Sequence, residues 1–309
     1  MNKLVKKLML VAAMLMLAAG PSFAADAIRI GLMCPLTGKW ASEGQDMQQI
    51  VSLLVSEVNK AGGINGKQIE LIVEDDAGDP RTASLAAQKL ASAGVMAVIG
   101  TYGSAVTEAS QNIIDEAEIM QIATGSTSVR LTEKGLPLFF RTCPRDDEQG
   151  RVASKVIAAK GFKTVAILHD NSAYAKGLAD EARQRIIDKK SADIVFFDAL
   201  VPGERDYSAI LTKIKGVKPD AILFTGYYPE AGLLLRQMQE MKWAVPIIGG
   251  DATNNTDLVK IAGDAAAGYR FISPIMPADI DTPMAKAFLK AYEAKYHSLP
   301  SSIWSVLAG

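Results

Sequence analysis

Beyond residue 24 the chain alternates between two hydrophobic periods. Runs rich in β-branched and aliphatic residues, Ile28 to Met33, Ile69 to Glu74, Val95 to Gly100, Thr164 to His169, Ile194 to Asp198, Ala221 to Gly226, Pro246 to Gly250 and Tyr269 to Ser273, predict short strands. Between the first two, Met47, Ile50, Val51, Leu54 and Val58 recur on one helical face, and Gly62-Gly63 follows as a helix stop. Strand, helix, glycine stop and strand make a βαβ unit, and its repetition predicts an α/β fold of parallel sheets covered by helices. A second series of units begins near Arg151, after the extended stretch Leu138 to Pro144, and Pro274 and Pro277 interrupt the pattern again. The expected organisation is one lobe from 25–145 plus 275–309 and a second from 146–274.

Residues 1–24 follow neither period. Lys3, Lys6 and Lys7 precede an unbroken apolar run, Leu8 to Ala19, and Pro21-Ser22-Phe23-Ala24 offers small residues at a cut, which is the build of a secretory signal peptide. The run is shorter than the roughly 20 residues a membrane-spanning helix needs. No Cys follows it to carry a lipid. A soluble protein exported to the periplasm is expected.

Without those three lysines the chain has 30 basic and 34 acidic residues, a formal charge near −4 that gives no reason to expect nucleic acid or an acidic membrane as partner. Cys34 and Cys143 are the only cysteines, too few for a disulfide scaffold. An exported location permits one bridge, and spacing does not decide whether the two meet. Two small buried residues are the plainer expectation.

Eight stretches resemble the leucine/isoleucine/valine-binding proteins, the amino-acid branch of the type I periplasmic solute-binding proteins of ABC transporters. They are PLTG from Pro35, VNKAGGINGKQIELIVEDDAGDP from Val58, AVIGTYGSAVT from Ala97, IATGSTSVRLT from Ile122, AILHDNSAYAKGLA from Ala166, VFFDALVPGERDYSAIL from Val195, FTGYYPEAG from Phe224 and IAGDAAAG from Ile261. They cover nearly the whole chain after residue 24 in the family's order. The resemblance implies two Rossmann-like lobes joined by a hinge and closing on a ligand, with the chain apparently truncated at Gly309, inside what resembles the start of a helix. Open parallel sheets bind ligands at the carboxyl ends of their strands, so the local pattern points to the same cleft.

By the resemblance, Ser104 and Thr127 clamp a ligand carboxylate and Asp251 receives its ammonium, while Tyr174 and Tyr227 face its carbon skeleton. Tyr102 lines the side-chain pocket, and Ser126, in the same turn as Thr127, joins the candidate ligand-binding residues. Local sequence alone leaves plainer roles open: Ser104 as a helix cap, Thr127 as a turn residue, Asp251 as the cap of a helix near Asn254 to Ile261, and the tyrosines as half-buried rings. Glu43 stands where the leucine-type proteins carry Trp, with Trp40 three residues earlier. Its carboxylate either favours a ligand with a polar or basic side chain or caps a helix beginning near Gly44. The expected ligand is a branched-chain or related amino acid, handed by a monomer to a membrane permease; a sensory module of the same fold, or a binder of an aromatic acid, amide or other small acid, is the alternative.

No cofactor or metal is expected. Glu74, Asp75, Asp76 and Asp79 lack the spacing of an EF-hand loop and fit a strand end running into a polar turn. Gly62, Gly63 and Gly66 follow a helix and precede a strand, the reverse of a phosphate-cradling order. His169 and His297 are the only histidines, and neither lies near a nucleophile motif, so an enzyme reading has nothing to stand on.

Overall fold

Two five-stranded parallel sheets account for the strand runs. The computed structural model describes residues 27–276 and 279–309, so the expected signal peptide and Pro277 lie outside the described residues. In chain order the first half is β1 (Ile28–Cys34), α1 (Ala41–Lys60), β2 (Ile69–Asp75), α2 (Pro80–Ser92), β3 (Ala97–Ile99), α3 (Ser104–Glu116), β4 (Met120–Ala123), α4 (Arg130–Glu133) and β5 (Phe139–Arg141). The second continues with α5 (Asp146–Lys160), β6 (Thr164–His169), α6 (Ala173–Lys189), β7 (Asp193–Ala199), α7 (Ser208–Gly216), β8 (Ala221–Phe224), α8 (Tyr228–Glu240), β9 (Ile247–Gly249), a 3₁₀ turn (Asp251–Thr253), α9 (Asp257–Ala262), a second 3₁₀ turn (Gly263–Ala266) and β10 (Arg270–Phe271). Two further helices follow, α10 (Pro283–Tyr296) and α11 (Ile303–Val306).

Helix ends follow local chemistry. Asp79 accepts the Thr82 N–H at 2.9 Å and Pro80 opens α2. Ser172 caps α6 by accepting from Ala175 N at 3.1 Å. Strands of parallel sheets are buried on both faces and need continuous apolar runs. Accordingly Val165 to Leu168 and Ala221 to Phe224 are all buried.

The sheet orders are β2-β1-β3-β4-β5 and β10-β9-β8-β6-β7. In each, the strand order reverses at one place, between β1 and β3 in the first and between β6 and β8 in the second. Such switch points open crevices at the carboxyl ends of the strands. The loops leaving β1 and β3 carry Trp40 and Tyr102; the loop leaving β6 runs into the first turn of α6, which carries Tyr174, and the loop leaving β8 carries Tyr227. Trp40 and Tyr227 stack with ring centroids 4.2 Å apart, so the two crevices face each other and the lobes are closed together.

The last helices return to the first sheet's layer. Tyr292 on α10 is fully buried against Ile50 and Leu53 of α1, and its hydroxyl reaches Gln49 Oε1 at 2.8 Å. This second contact changes the expected apolar face of α1: Met47 and Val51 meet the main core, Leu53 is buried under α10, and Val58 is exposed. Cys34 and Cys143 are both buried and unbridged. Among the described residues no helix is long and apolar enough to cross a membrane.

Candidate functional site

The cleft floor on the first lobe is built from the starts of α1 and α3 and the turn after β4. Gly103, not Ser104, occupies the cap position of α3, which leaves the Ser104 side chain free to face the next turn, where it accepts the Ser128 N–H at 3.2 Å. Thr127 is buried and its hydroxyl has no hydrogen-bond partner. The turn that carries it is held from behind by Arg141, which donates to Ser126 O and Ser128 O at 3.0 Å each. Ser126 is committed to the protein: its hydroxyl contacts Thr107 Oγ1 at 2.5 Å and donates toward Thr101 O and Tyr102 O. Ser104 and the turn that carries Thr127 therefore adjoin at the N-terminus of α3, where unpaired N–H groups and the helix dipole favour an anion.

Opposite them the second lobe presents acid. Asp251 is 2% exposed and opens the 3₁₀ turn after β9, so it does not cap α9. One carboxylate oxygen accepts the Tyr174 hydroxyl at 2.7 Å and the other accepts Gln149 Nε2 at 2.7 Å, while Gln149 Oε1 accepts the Asp251 N–H at 2.8 Å. Burial pushes the Asp251 carboxyl up to about 7 despite these donors. Asp146, at the first position of α5, is 1% exposed; its N–H donates to Thr127 O at 3.0 Å, and neither carboxylate oxygen makes a well-formed hydrogen bond, although the Thr127 hydroxyl lies close enough to oppose the rise of its pKa. Its carboxyl is raised well above the usual range, first by burial and then by the charge of Asp251. Two neutral donors on Asp251 leave lone pairs on both oxygens, and Asp146, with only the Thr127 hydroxyl beside it, has lone pairs to spare as well. Such a pair is short of one thing, a cation.

Rings wall the space between. Tyr227 lies 5.2 Å from Tyr174 and 6.0 Å from Tyr102, centroid to centroid, and all three are buried. Burial raises their phenols well above the ordinary value, so they remain protonated donors. Glu43 sits in the first turn of α1, fully buried, with Oε1 accepting from Asn255 at 2.7 Å and Oε2 from Ser302 at 2.6 Å. Burial lifts it to about 7 as well. Both oxygens are thus engaged by the protein, and the Asn255 bond ties the two lobes together.

A sequence model of the periplasmic binding proteins matches residues 27–308. This chain belongs to the periplasmic binding protein family. A relative of this binding protein, the Leu/Ile/Val-binding protein BraC3 of Rhizobium johnstonii, is 38% identical over 294 residues, 94% of this chain and 78% of that one. Another, the leucine-, isoleucine-, valine-, threonine- and alanine-binding protein of Pseudomonas aeruginosa, is 36% identical over 93% of this chain and 76% of its own. In three dimensions this binding protein superposes on the branched-chain amino acid transporter substrate-binding protein LivJ of Streptococcus pneumoniae, crystallised with isoleucine. The TM-score is 0.84 at 35% identity, with 92% of this chain and 81% of that one covered. The lobes are those of the type I periplasmic-binding-protein fold.

In this binding protein the cleft gathers Ser104, Thr127, Tyr102, Tyr174, Tyr227 and Asp251, whereas the Ser126 and Glu43 side chains are spent on internal bonds. Asp146, Gln149 and Arg141 escape the sequence reading. An acid in the first turn of a helix ordinarily complements the dipole, and only the tertiary fold reveals that Asp146 points inward. His169 takes no part: its Nδ1 accepts the Asn171 N–H at 3.0 Å and its ring packs on Phe197. The acidic stretch after β2 is a turn scaffold, with Asp75 accepting from Leu36, Thr37 and Ala77. Among the described residues no group of three His, Cys, Asp or Glu side chains is placed to hold a metal ion.

Proposed function

We propose that the chain is the solute-binding component of an ABC importer, exported to the periplasm by residues 1–24, which carries a branched-chain or related α-amino acid to a membrane permease and performs no chemistry on it. The observation that carries this reading is the presence, in one closed cleft, of two buried carboxylates with lone pairs to spare, Asp251 from the second lobe and Asp146 beside Thr127, together with a helix N-terminus flanked by the Ser104 and Thr127 hydroxyls. A zwitterion satisfies both ends; a simple carboxylic acid leaves the Asp146 and Asp251 side unmet. The relatives support the choice of ligand class, since their names specify leucine, isoleucine and valine, in one case also threonine and alanine. The lobes are assigned as 25–145 with 275–309 and 146–274, and the protein acts as a monomer.

Titration calorimetry with leucine, isoleucine, valine, threonine and alanine, each against the same molecule lacking its amino group, tests this. At least one amino acid binds, its des-amino partner binds about 100-fold more weakly or worse, and Asp251→Asn loses affinity on a similar scale. A des-amino acid held as tightly as its parent rules the reading out.

A further inference from the structure

Two rings in the cleft carry polar atoms that nothing in the protein engages. Trp40 is 4% exposed and Tyr102 2%, and neither the Trp40 indole N–H nor the Tyr102 hydroxyl has a partner. Buried donors are normally satisfied, because an unmet one forfeits its hydration with no return. Three other buried rings do follow that rule: Tyr174 donates to Asp251, Trp304 to the Asp251 carbonyl at 3.1 Å, and Tyr228 to the Lys39 carbonyl at 3.0 Å.

The two rings are fixed in place. A Cβ added at Gly78 would fall 2.6 Å from Trp40 Cε3, and one at Gly103 would fall 2.7 Å from Cζ3, so the indole is seated on two bare backbone positions. Tyr102 is seated likewise, 2.6 Å from where a Gly125 Cβ would stand. Tyr227 packs against Trp40 with centroids 4.2 Å apart, and Lys39 Nζ lies 4.5 Å from the indole centroid. Such a wall does not swing aside for a long aliphatic chain. The Tyr102 ring lies 5.5 Å from Trp40 and 6.0 Å from Tyr227, centroid to centroid, which places it at the junction of the lobes.

We propose that Trp40 and Tyr102 form a short, hydrogen-bonding side-chain pocket, so that the site selects α-amino acids resembling threonine over those resembling leucine. This rests on the reading of the cleft as an amino-acid clamp. The indole donates to a hydroxyl or carbonyl oxygen on the ligand, and the phenol donates or accepts. A pocket built around such groups rejects an isostere that lacks the partner more strongly than an apolar pocket rejects an added hydroxyl. Threonine and valine have nearly the same shape and differ in that one group.

Calorimetry on the full chain with threonine, valine and leucine, for the wild type, Trp40→Phe and Trp40→Ala, decides the matter. Threonine binds the wild type at least about tenfold more tightly than valine, and leucine binds weakest. Trp40→Phe keeps the wall but loses the donor: the threonine-to-valine ratio falls toward one and leucine stays weak. Trp40→Ala gains at least about tenfold for leucine. Should Trp40→Ala fail to fold by circular dichroism, the wild-type series and Trp40→Phe still separate the outcomes. Valine or leucine bound to the wild type as tightly as threonine overturns the pocket while leaving the amino-acid clamp intact. Binding of none of the three overturns both.

Discussion

At the scale of single residues the cleft is governed by buried acids. Asp251 rises from 3.8 to about 7, Glu43 from 4.5 to about 7, and Asp146 moves the same way. An acid whose pKa is higher folded than unfolded contributes stability that is fully present below the unfolded value and is lost as pH climbs through the folded one. The unliganded protein is therefore expected to lose stability between about pH 4 and 7. A ligand ammonium favours the ionised forms of Asp146 and Asp251, so binding expels protons and affinity strengthens over the same range. Calorimetry near pH 6 in buffers of different ionisation enthalpy reads this directly: net proton release is expected, and uptake speaks against it. Ser104, Thr127, Tyr174, Tyr227 and Asp251 each follow a strand end, where a parallel sheet offers its crevice, but local pattern leaves them capping and turn roles and only the family resemblance singles them out. Asp146 and Gln149 are not legible in the sequence, since their position at the start of α5 has an ordinary local explanation and their inward aim depends on where the second sheet brings β9. Trp40 stands in view in the sequence, but its neighbours Gly78, Gly103 and Tyr227 are distant along the chain.

At the scale of elements, local pattern carries strands better than it carries helix faces. The runs at Ile28, Ile69, Thr164 and Ala221 are strands from their first residue, because an apolar run long enough to be buried on both sides has few other uses. The run at Val95 yields only Ala97–Ile99, since its last residue already turns into the loop that opens α3. The face of α1 is misread at Leu53 and Val58 for a different reason: α10, joining from more than two hundred residues away, adds a second contact that no local period encodes. The short helix α11 makes a comparable long-range tie. Trp304 is 1% exposed and its indole donates to the Asp251 carbonyl, fastening this end of the chain to the turn that presents the acid. Trp304→Ala is expected to cost about 3–5 kcal/mol in chemical denaturation. A loss below about 1 kcal/mol would mean that this tie contributes little.

At the scale of the whole molecule, function depends on contacts that exist only when both lobes are together. Without ligand groups these include Trp40 on Tyr227, Ser42 with Tyr228 at 3.0 Å and Glu43 with Asn255. A ligand shifts the open and closed populations only through its difference in affinity for them, and a molecule held by one lobe alone shifts nothing. On the proposed reading the ligand bridges, with its carboxylate on the α3 side and its ammonium between Asp146 and Asp251. A crystal structure with a bound amino acid tests this most directly. Carboxylate oxygens are expected within hydrogen-bond distance of Ser104 and Thr127, and the ammonium within the same reach of Asp251 and Asp146. An amino acid seated with its ammonium turned away from both acids, or held by one lobe alone, would contradict the bridging clamp.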